Sequence, residues 1–113
     1  MDLPSFTDNS RKITPEMARQ IMEEYPDYVL LDVRSPEEYA WAYIEGATLI
    51  PIESLEKEIE IRIPDKDTII LTYCHVGVRS SQAAAILYNM GYNKTYDIGG
   101  IMQWPYGAIM GEQ

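Results

Sequence analysis

Two short, uninterrupted apolar runs constrain the fold of this chain more than any other feature of its sequence. YVLLDV covers residues 28–33, and TIILTY covers residues 68–73. Strands that are buried on both faces have such continuous apolar runs, which are typical of parallel sheets covered by helices. Segments with helical spacing separate the runs, so the sequence predicts alternating strands and helices. The expected fold class is α/β, with a mainly parallel central sheet of about five strands and helices on both faces.

Three further segments complete the predicted sheet. ATLIP at residues 47–51 is a short strand that proline closes, and KTYDI at residues 94–98 is a last strand. Residues 11–14 are a candidate edge strand.

Two helices are predicted in the first half of the chain from their capping residues. Thr14-Pro15-Glu16 begins the first, because threonine caps helices and proline suits the first helical position, and Pro26 ends it. Ser35-Pro36-Glu37-Glu38 begins the second helix, which continues through Trp41.

Two more helices are predicted from apolar residues at helical spacing. The third covers residues 54–61, with Leu55, Ile59 and Ile61 expected to face inward. The fourth covers residues 80–90 and has Gly91 at its C-terminal end. Its inward face is expected to consist of Ala83, Ala84, Leu87 and Met90.

Length and charge limit the function classes. A length of 113 residues suits a single domain covering residues 1–113. The net charge is −9, and 16 of the 18 acidic residues lie in residues 1–67. Nucleic acids and anionic membranes require a basic face, so we expect neither as a partner.

The sequence also suggests a cellular compartment. No apolar stretch approaches the roughly 20 residues that span a bilayer, and MDLPSFTDNS lacks the basic and apolar segments of a secretory signal. A lone cysteine forms no internal disulfide, so we expect a cytoplasmic protein. A processed or excised domain would have the same features.

The single cysteine, Cys74, lies where the run TIILTY ends and a helix is about to begin. Ligands of open parallel sheets bind beyond the carboxyl ends of the strands. In the loop CHVGVR, Gly77 permits conformations that other residues resist, and Arg79 adds a positive charge. Loop N–H groups, the helix start and the guanidinium would together hold an anion. Helix N-termini and cations also lower the pKa of cysteine thiols, so we expect Cys74 to be a nucleophilic thiolate.

A lone cysteine is more often a small buried apolar residue, and that alternative stays open for Cys74 on the thiol alone. The neighbouring glycine, arginine and strand–loop–helix context favour the nucleophile. One cysteine and one histidine are too few ligands for a closed structural zinc site, so no metal and no cofactor are expected.

Three segments resemble single-domain rhodaneses, the thiosulfate sulfurtransferases. CHVGVRS at 74–80 resembles their active-site loop, LLDVRSPEEYAWAYIEGATLIP at 30–51 resembles their segment around Asp-Val-Arg and Glu-Tyr, and YDIGGIMQW at 96–104 resembles their Gly-Gly and tryptophan ending. The resemblance covers residues 11–107. It implies a rhodanese-like three-layer fold.

The resemblance also implies a persulfide mechanism. The Cys74 thiolate would take sulfane sulfur from a small anionic donor such as thiosulfate, and cyanide or a thiol, for example on a thioredoxin-like protein, would accept it. Arg79 would orient and neutralise the loop or the substrate. The substrate-binding residues implied are those of the loop: His75, Val76, Gly77, Val78, Arg79 and Ser80.

Two alternatives to sulfur transfer remain. Rhodanese-like phosphatases and arsenate reductases have five residues between the cysteine and the arginine, whereas four separate Cys74 from Arg79. The smaller ring suits a sulfur atom better than a tetrahedral phosphoryl group. Non-catalytic rhodanese-like binding modules commonly lack the cysteine that is present here.

Further residues receive roles from the same resemblance. It makes Asp32 a structural acid and Arg34 the partner of Glu38. Ala42-Tyr43 replaces the family's usual Gly-His, and Tyr43 is expected to pack rather than transfer protons.

Two further residues are assigned from their own chemistry. His75 follows Cys74 directly, which leaves a basic role open, but a position at the rim in contact with donor or acceptor is favoured because adjacent side chains in a turn often point apart. Trp104 is expected to close the core or the rim of the pocket, and core packing is favoured because buried aromatic residues mostly serve structure. Dedicated thiosulfate enzymes often carry more positive charge in this loop, so thiosulfate could be a surrogate donor.

Overall fold

The structure is a computed structural model that describes residues 1–6 and 10–111. Its α-helices are α1 (Pro15–Glu24), α2 (Pro36–Trp41), α3 (Leu55–Arg62) and α4 (Val78–Asn89). Its strands are β1 (Val29–Asp32), β2 (Ala42–Tyr43), β3 (Thr48–Leu49), β4 (Ile70–Cys74), β5 (Thr95–Gly100) and β6 (Ile109–Met110). Short 3₁₀ turns cover Ile52–Ser54 and Ile101–Gln103.

The central sheet contains four parallel strands in the order β3-β1-β4-β5. All five residues of β4 are buried, as are the last three of β1. Leu31 of β1 lies between Thr48 of β3 and Thr72 of β4 in the register. The two apolar runs therefore form adjacent strands. Their burial confirms the prediction of strands that are covered on both faces.

Helices cover both faces of this sheet, which gives the predicted three-layer α/β fold. Successive residues of a strand point to opposite faces. Leu30 and Leu71 belong to the apolar cluster that contains Ile21 of α1. Leu31 and Ile70 belong to the other cluster, with buried residues of α3 and α4 that include Leu55, Ile59, Ala83 and Leu87.

The predicted N-termini of α1 and α2 are confirmed in their capping contacts. Thr14 Oγ1 accepts a hydrogen bond from the Met17 N–H at 3.1 Å. Ser35 and Glu38 form a reciprocal capping box, in which each side chain accepts a hydrogen bond from the other's backbone N–H.

Two predicted details are wrong. Ile61 does not face inward: it is 81% exposed, whereas Leu55 and Ile59 are buried. Residues four apart share a helix face, and Ile61 follows Ile59 by only two positions. Residues 11–14 also do not form a full strand, because Lys12 makes a single parallel bridge to Asp97 of β5.

The structure adds a small antiparallel ribbon that the sequence did not predict. Ala42 of β2 pairs with Met110 of β6, and Tyr43 pairs with Ile109. Two residues per strand are too few to show an alternating pattern. Within residues 1–6 and 10–111, no helix has the length and apolar character needed to cross a bilayer.

Candidate functional site

Cys74 is the last residue of β4, and α4 begins four residues later at Val78. Gly77 lies at the N-cap of α4 with φ of 111°, a left-handed conformation that residues with a side chain rarely adopt. Helix α4 begins at Val78, two residues before the predicted start at residue 80. The predicted loop residues, His75 to Ser80, cover the turn and the first residues of α4.

The sulfur of Cys74 is hydrogen-bonded within this turn. The Gly77 N–H donates to Cys74 Sγ at 3.0 Å, and the thiol donates to Ser80 Oγ at 3.5 Å. Among the hydrogen bonds of the described residues, the Gly77 N–H is the loop amide that bonds to this sulfur. It lies at the N-terminus of a 12-residue helix, where backbone dipoles favour negative charge.

The environment of Cys74 also has apolar character. The residue is 1% exposed and belongs to the cluster that contains Leu31, Val33 and Ala83. Both sequence interpretations therefore describe part of the site. The residue is buried among apolar side chains, and its sulfur receives a polar hydrogen bond from the loop.

Ser80 links the sulfur to a buried carboxylate. The Ser80 side chain is fully buried, and its Oγ lies 2.7 Å from Asp97 Oδ1. Because a hydroxyl has one proton, it donates to this carboxylate and accepts from the thiol of Cys74. The Gly99 N–H donates to the same Asp97 oxygen at 2.8 Å, and Thr72 Oγ1 donates to the Ser80 carbonyl at 3.0 Å.

The end of β5 packs directly against the loop. A Cβ atom on Gly100 would lie 2.3 Å from the His75 carbonyl oxygen and 2.6 Å from Val76 Cα. The Met102 N–H donates to that same carbonyl at 3.2 Å. The absence of a side chain at Gly100 therefore lets β5 hold the backbone of the loop in place.

Arg79 is paired with Glu38 rather than free. Its Nη1 lies 2.7 Å from Glu38 Oε1, and its Nη2 lies 2.8 Å from Oε2, which is a bidentate geometry. The hydrogen bond from Arg79 lowers the pKa of Glu38 to about 2, with a smaller contribution from Ser35. The predicted Arg34–Glu38 pair is therefore wrong, because Glu38 pairs with Arg79.

Arg34 instead pairs with Asp32, two residues before it. Arg34 Nη2 lies 2.7 Å from Asp32 Oδ2, and both side chains are buried. Burial lowers the pKa of Arg34, but the hydrogen bond and charge of Asp32 outweigh it and leave a net increase. Arg34 also donates to the Ala42 carbonyl, which fixes the start of β2.

Tyr73 completes this buried network. Burial raises the pKa of Tyr73, so its hydroxyl stays protonated and donates to Asp32 Oδ2 at 2.7 Å. Asp32 therefore orders the polar residues at the end of β1, in agreement with its predicted structural role.

The outer rim of the loop combines a cleft with charged residues and several exposed apolar side chains. His75 is exposed and shares a cleft of about 380 Å³ with Trp41, Arg34, Glu37 and Glu38. Other exposed apolar side chains beside the loop are Val76, Val78 and Met102.

Two aromatic residues have the packing roles expected of them. Trp104 packs against the apolar cluster on the α1 face. Tyr43 stacks on Tyr39 with a centroid distance of 4.5 Å.

Sequence reasoning missed two residues that contact the site, Asp97 and Thr72. Both lie in predicted strands. A polar residue within an apolar run was the available sign that these two side chains bind a polar partner. Their partner, Ser80, lies 17 positions before Asp97, and sequence spacing does not show that contact.

The family model described as Rhodanese-like domain matches residues 14–105. Because this match covers most of the chain, the chain belongs to the rhodanese-like family of proteins. The chain is 38% identical over 71 residues to Thiosulfate sulfurtransferase PspE from Escherichia coli, covering 63% of this chain and 68% of PspE. It is 33% identical over 94 residues to a Sulfurtransferase from Allochromatium vinosum, covering 82% of this chain and 86% of the relative.

Solved structures and longer relatives agree with this assignment. The structure described as rhodanese with anions from E. coli has a TM-score of 0.69 and 33% identity, and the match covers 74% of this chain and 99% of that one. Longer relatives include the tRNA uridine(34) hydroxylase of Enterobacter, which is 36% identical over 88 residues, or 74% of this chain. The chain spans only 25% of that protein's length. The family therefore includes sulfurtransferases and also larger proteins with other activities.

Proposed function

We propose that this protein is a sulfurtransferase that carries sulfane sulfur on Cys74 as a persulfide. The observation that carries the proposal is the 3.0 Å hydrogen bond from the Gly77 N–H, at the start of α4, to Cys74 Sγ. This bond and the helix dipole stabilise negative charge on sulfur, both in a thiolate and in a persulfide. Sulfurtransferases among the relatives support the same chemistry.

In the first step, the Cys74 thiolate attacks the outer sulfur of the donor. With thiosulfate, a new S–S bond forms to Cys74 while the S–S bond of the donor breaks, and sulfite leaves with the electron pair. Loop N–H groups at residues 75–80 would hold the donor oxygens. No external oxidant or reductant is required.

In the second step, a nucleophile removes the outer sulfur. Cyanide attacks that sulfur, thiocyanate leaves, and the Cys74 thiolate is regenerated. A thiol acceptor instead becomes a persulfide itself, and a thioredoxin-like protein is a fitting acceptor. The sequence contains no second cysteine to resolve the persulfide internally, so the acceptor must be external.

Cys74 is 1% exposed in this conformation, so attack on a donor requires local movement around the sulfur. The His75 carbonyl is held by the Met102 N–H, whereas the side chains of His75 and Val76 are exposed.

Phosphate and arsenate chemistry fit this site less well. A phosphoryl group needs a guanidinium that is available to its oxygens, but Arg79 is held by both oxygens of Glu38. The other alternative, a non-catalytic binding module, would form no persulfide at all.

Intact-mass spectrometry after incubation with thiosulfate tests the proposal. The expected result is a gain of the mass of one sulfur atom, which cyanide removes with formation of thiocyanate. Because Cys74 is the only cysteine, any persulfide must form there.

Cys74→Ser is the matched control and should show neither the mass gain nor thiocyanate formation. An unchanged mass with every sulfane-sulfur donor would support the binding module. Hydrolysis of aryl phosphates without persulfide formation would support the phosphatase.

A further inference from the structure

We propose that Glu38 determines donor specificity by withholding Arg79 from anionic donors. The site would then prefer sulfane-sulfur donors of low charge with an apolar body, such as persulfides of uncharged organic thiols, over thiosulfate. This inference rests on the proposed sulfur transfer and names the substrate class of the same site.

The first support is the bidentate pairing of the guanidinium with a carboxylate. Nη1 and Nη2 of Arg79 each donate to a different oxygen of Glu38, at 2.7 Å and 2.8 Å. Because the pKa of Glu38 is lowered to about 2, its carboxylate is ionised throughout the neutral range. The carboxylate therefore neutralises the guanidinium and occupies two of its five N–H groups, so an anionic donor gains less from Arg79 than it would from a free arginine.

The second support is the rigidity of that carboxylate. Glu38 Oε1 also accepts hydrogen bonds from the Ser35 N–H at 3.2 Å and from Ser35 Oγ at 3.1 Å. These bonds belong to the capping box of α2, so moving Glu38 away from Arg79 also uncaps the helix. The ion pair is therefore a fixed part of the site rather than a chance surface contact.

The third support is the charge of the cleft beside His75. Its one arginine, Arg34, is buried and bonded to Asp32. Glu37 and Glu38 line the same cleft, and Glu37 is exposed there. Arg11 and Lys12 lie on the opposite side of the loop, in a cavity that they share with Gly77 and Val78. Among the described residues of the cleft beside His75, a dianion such as thiosulfate therefore meets two carboxylates and no unpaired guanidinium.

The fourth support is the apolar rim. Trp41 is 59% exposed, and Val76, Val78 and Met102 are 55%, 64% and 65% exposed. Burying such surface against an apolar donor is favourable, whereas thiosulfate offers no apolar area. The rim therefore favours an organic donor.

The step with such a donor balances in the same way as with thiosulfate. The Cys74 thiolate attacks the outer sulfur of the organic persulfide RSSH, and a bond forms between the two sulfurs. The S–S bond of the donor breaks, and the thiolate RS⁻ leaves with the electron pair. The outer sulfur keeps its proton.

The test compares two probes, thiosulfate and benzenethiosulfonate, in kcat/KM for thiocyanate formation. Thiosulfate is a dianion, whereas benzenethiosulfonate is a monoanion with an aryl group. The wild-type protein should prefer benzenethiosulfonate. Glu38→Gln should raise kcat/KM for thiosulfate roughly tenfold and for benzenethiosulfonate about threefold, because charge interactions scale with donor charge.

Glu37→Gln is the matched control, since it removes the same charge from the same helix turn but leaves Arg79 paired. Equal gains in the two variants, or no gain in Glu38→Gln, would overturn the inference. Glutamine also suits the capping box, so Glu38→Gln should keep α2 folded, and circular dichroism checks this. If that variant does not fold, a wild-type preference for thiosulfate overturns the inference on its own.

The outcomes separate this inference from the proposed function. Absence of a Cys74 persulfide with both probes would overturn the proposed sulfur transfer, and the inference with it. Persulfide formation with both probes, but without the expected response to Glu38→Gln, would overturn the inference alone.

Discussion

The hydroxyl of Ser80 forms hydrogen bonds with both Cys74 and the buried carboxylate of Asp97. It accepts from the thiol and donates to Asp97, and all three side chains are buried. A buried carboxylate that loses a hydrogen-bond donor retains the cost of its desolvation. The site therefore depends on the side chain of Ser80. The loop motif predicted a role only for the backbone N–H of this residue.

Replacing Ser80 with alanine should lower the free energy of unfolding by about 1–3 kcal/mol, because Asp97 loses its donor. Urea unfolding monitored by circular dichroism measures this. Ser81→Ala is the matched control, since Ser81 is exposed on the same helix, and its effect should stay within about 0.5 kcal/mol. Equal losses in the two variants would contradict the role assigned to Ser80.

The roles of charged residues show the limit of sequence reasoning at this scale. Arg34 pairs with Asp32 because side chains two positions apart at a strand end lie on the same side. Glu38 and Arg79 are 41 positions apart, and only the fold brings them together. A sequence motif identifies these charged residues, but it does not predict which of them form ion pairs with each other.

Among the elements, the end of β5 matters most to the loop, because Gly100 lies against its backbone. The irregular register between β4 and β5 places Gly100 beside Cys74. A side chain at Gly100 would collide with atoms of His75 and Val76 that belong to the backbone and cannot rotate away. The loop must therefore shift if position 100 is enlarged.

Gly100→Ala should lower the free energy of unfolding by about 2 kcal/mol or more and slow persulfide formation, because overpacking moves the loop. Gly46→Ala is the control: Gly46 has φ of 85° but no atom within 4 Å of an added Cβ. That control should cost about 1 kcal/mol through backbone strain and leave persulfide formation unchanged. Normal persulfide formation in Gly100→Ala would show that the loop tolerates the side chain.

Most elements could be predicted from local signals, and those that were missed lack them. Ser35 and Glu38 identify the start of α2, and the run before Cys74 identifies β4. The ribbon of β2 and β6 depends on contacts between distant residues and has no local pattern. The inward orientation predicted for Ile61 was wrong because packing partners, rather than the short segment itself, determine which face of α3 is buried.

For the whole molecule, the Glu38–Arg79 pair is an electrostatic connection between α2 and α4 in an acidic chain. The chain has a net charge of −9, yet the pair places opposite charges 2.7 Å apart beside the loop that follows Cys74. The parallel sheet with helices on both faces was predictable from the two apolar runs and the helical segments between the strands. That residues 1–113 form one domain stays a prediction.

The free energy of unfolding should depend on pH through the Glu38–Arg79 ion pair. The pKa of Glu38 is lowered from 4.5 to about 2, so the stabilisation is complete above pH 4.5 and disappears as the pH falls to about 2. We expect wild type to exceed Glu38→Gln by about 1 kcal/mol in free energy of unfolding at pH 7. Urea unfolding of both proteins between pH 7 and 2 measures the difference.

Glu37→Gln serves again as the control and should show no comparable loss between pH 4.5 and 2. A difference between wild type and Glu38→Gln that persists unchanged at pH 2 would exclude the ion pair as its source.

One carboxylate oxygen, Glu38 Oε1, binds both Ser35 and Arg79. Chimeras that exchange this part of the chain with a relative must therefore transfer the serine, the glutamate and the distant arginine as a set. In a recipient without a glutamate at this position, a graft of the cysteine-containing segment alone would leave the guanidinium without its carboxylate, and we expect a different preference among sulfur compounds.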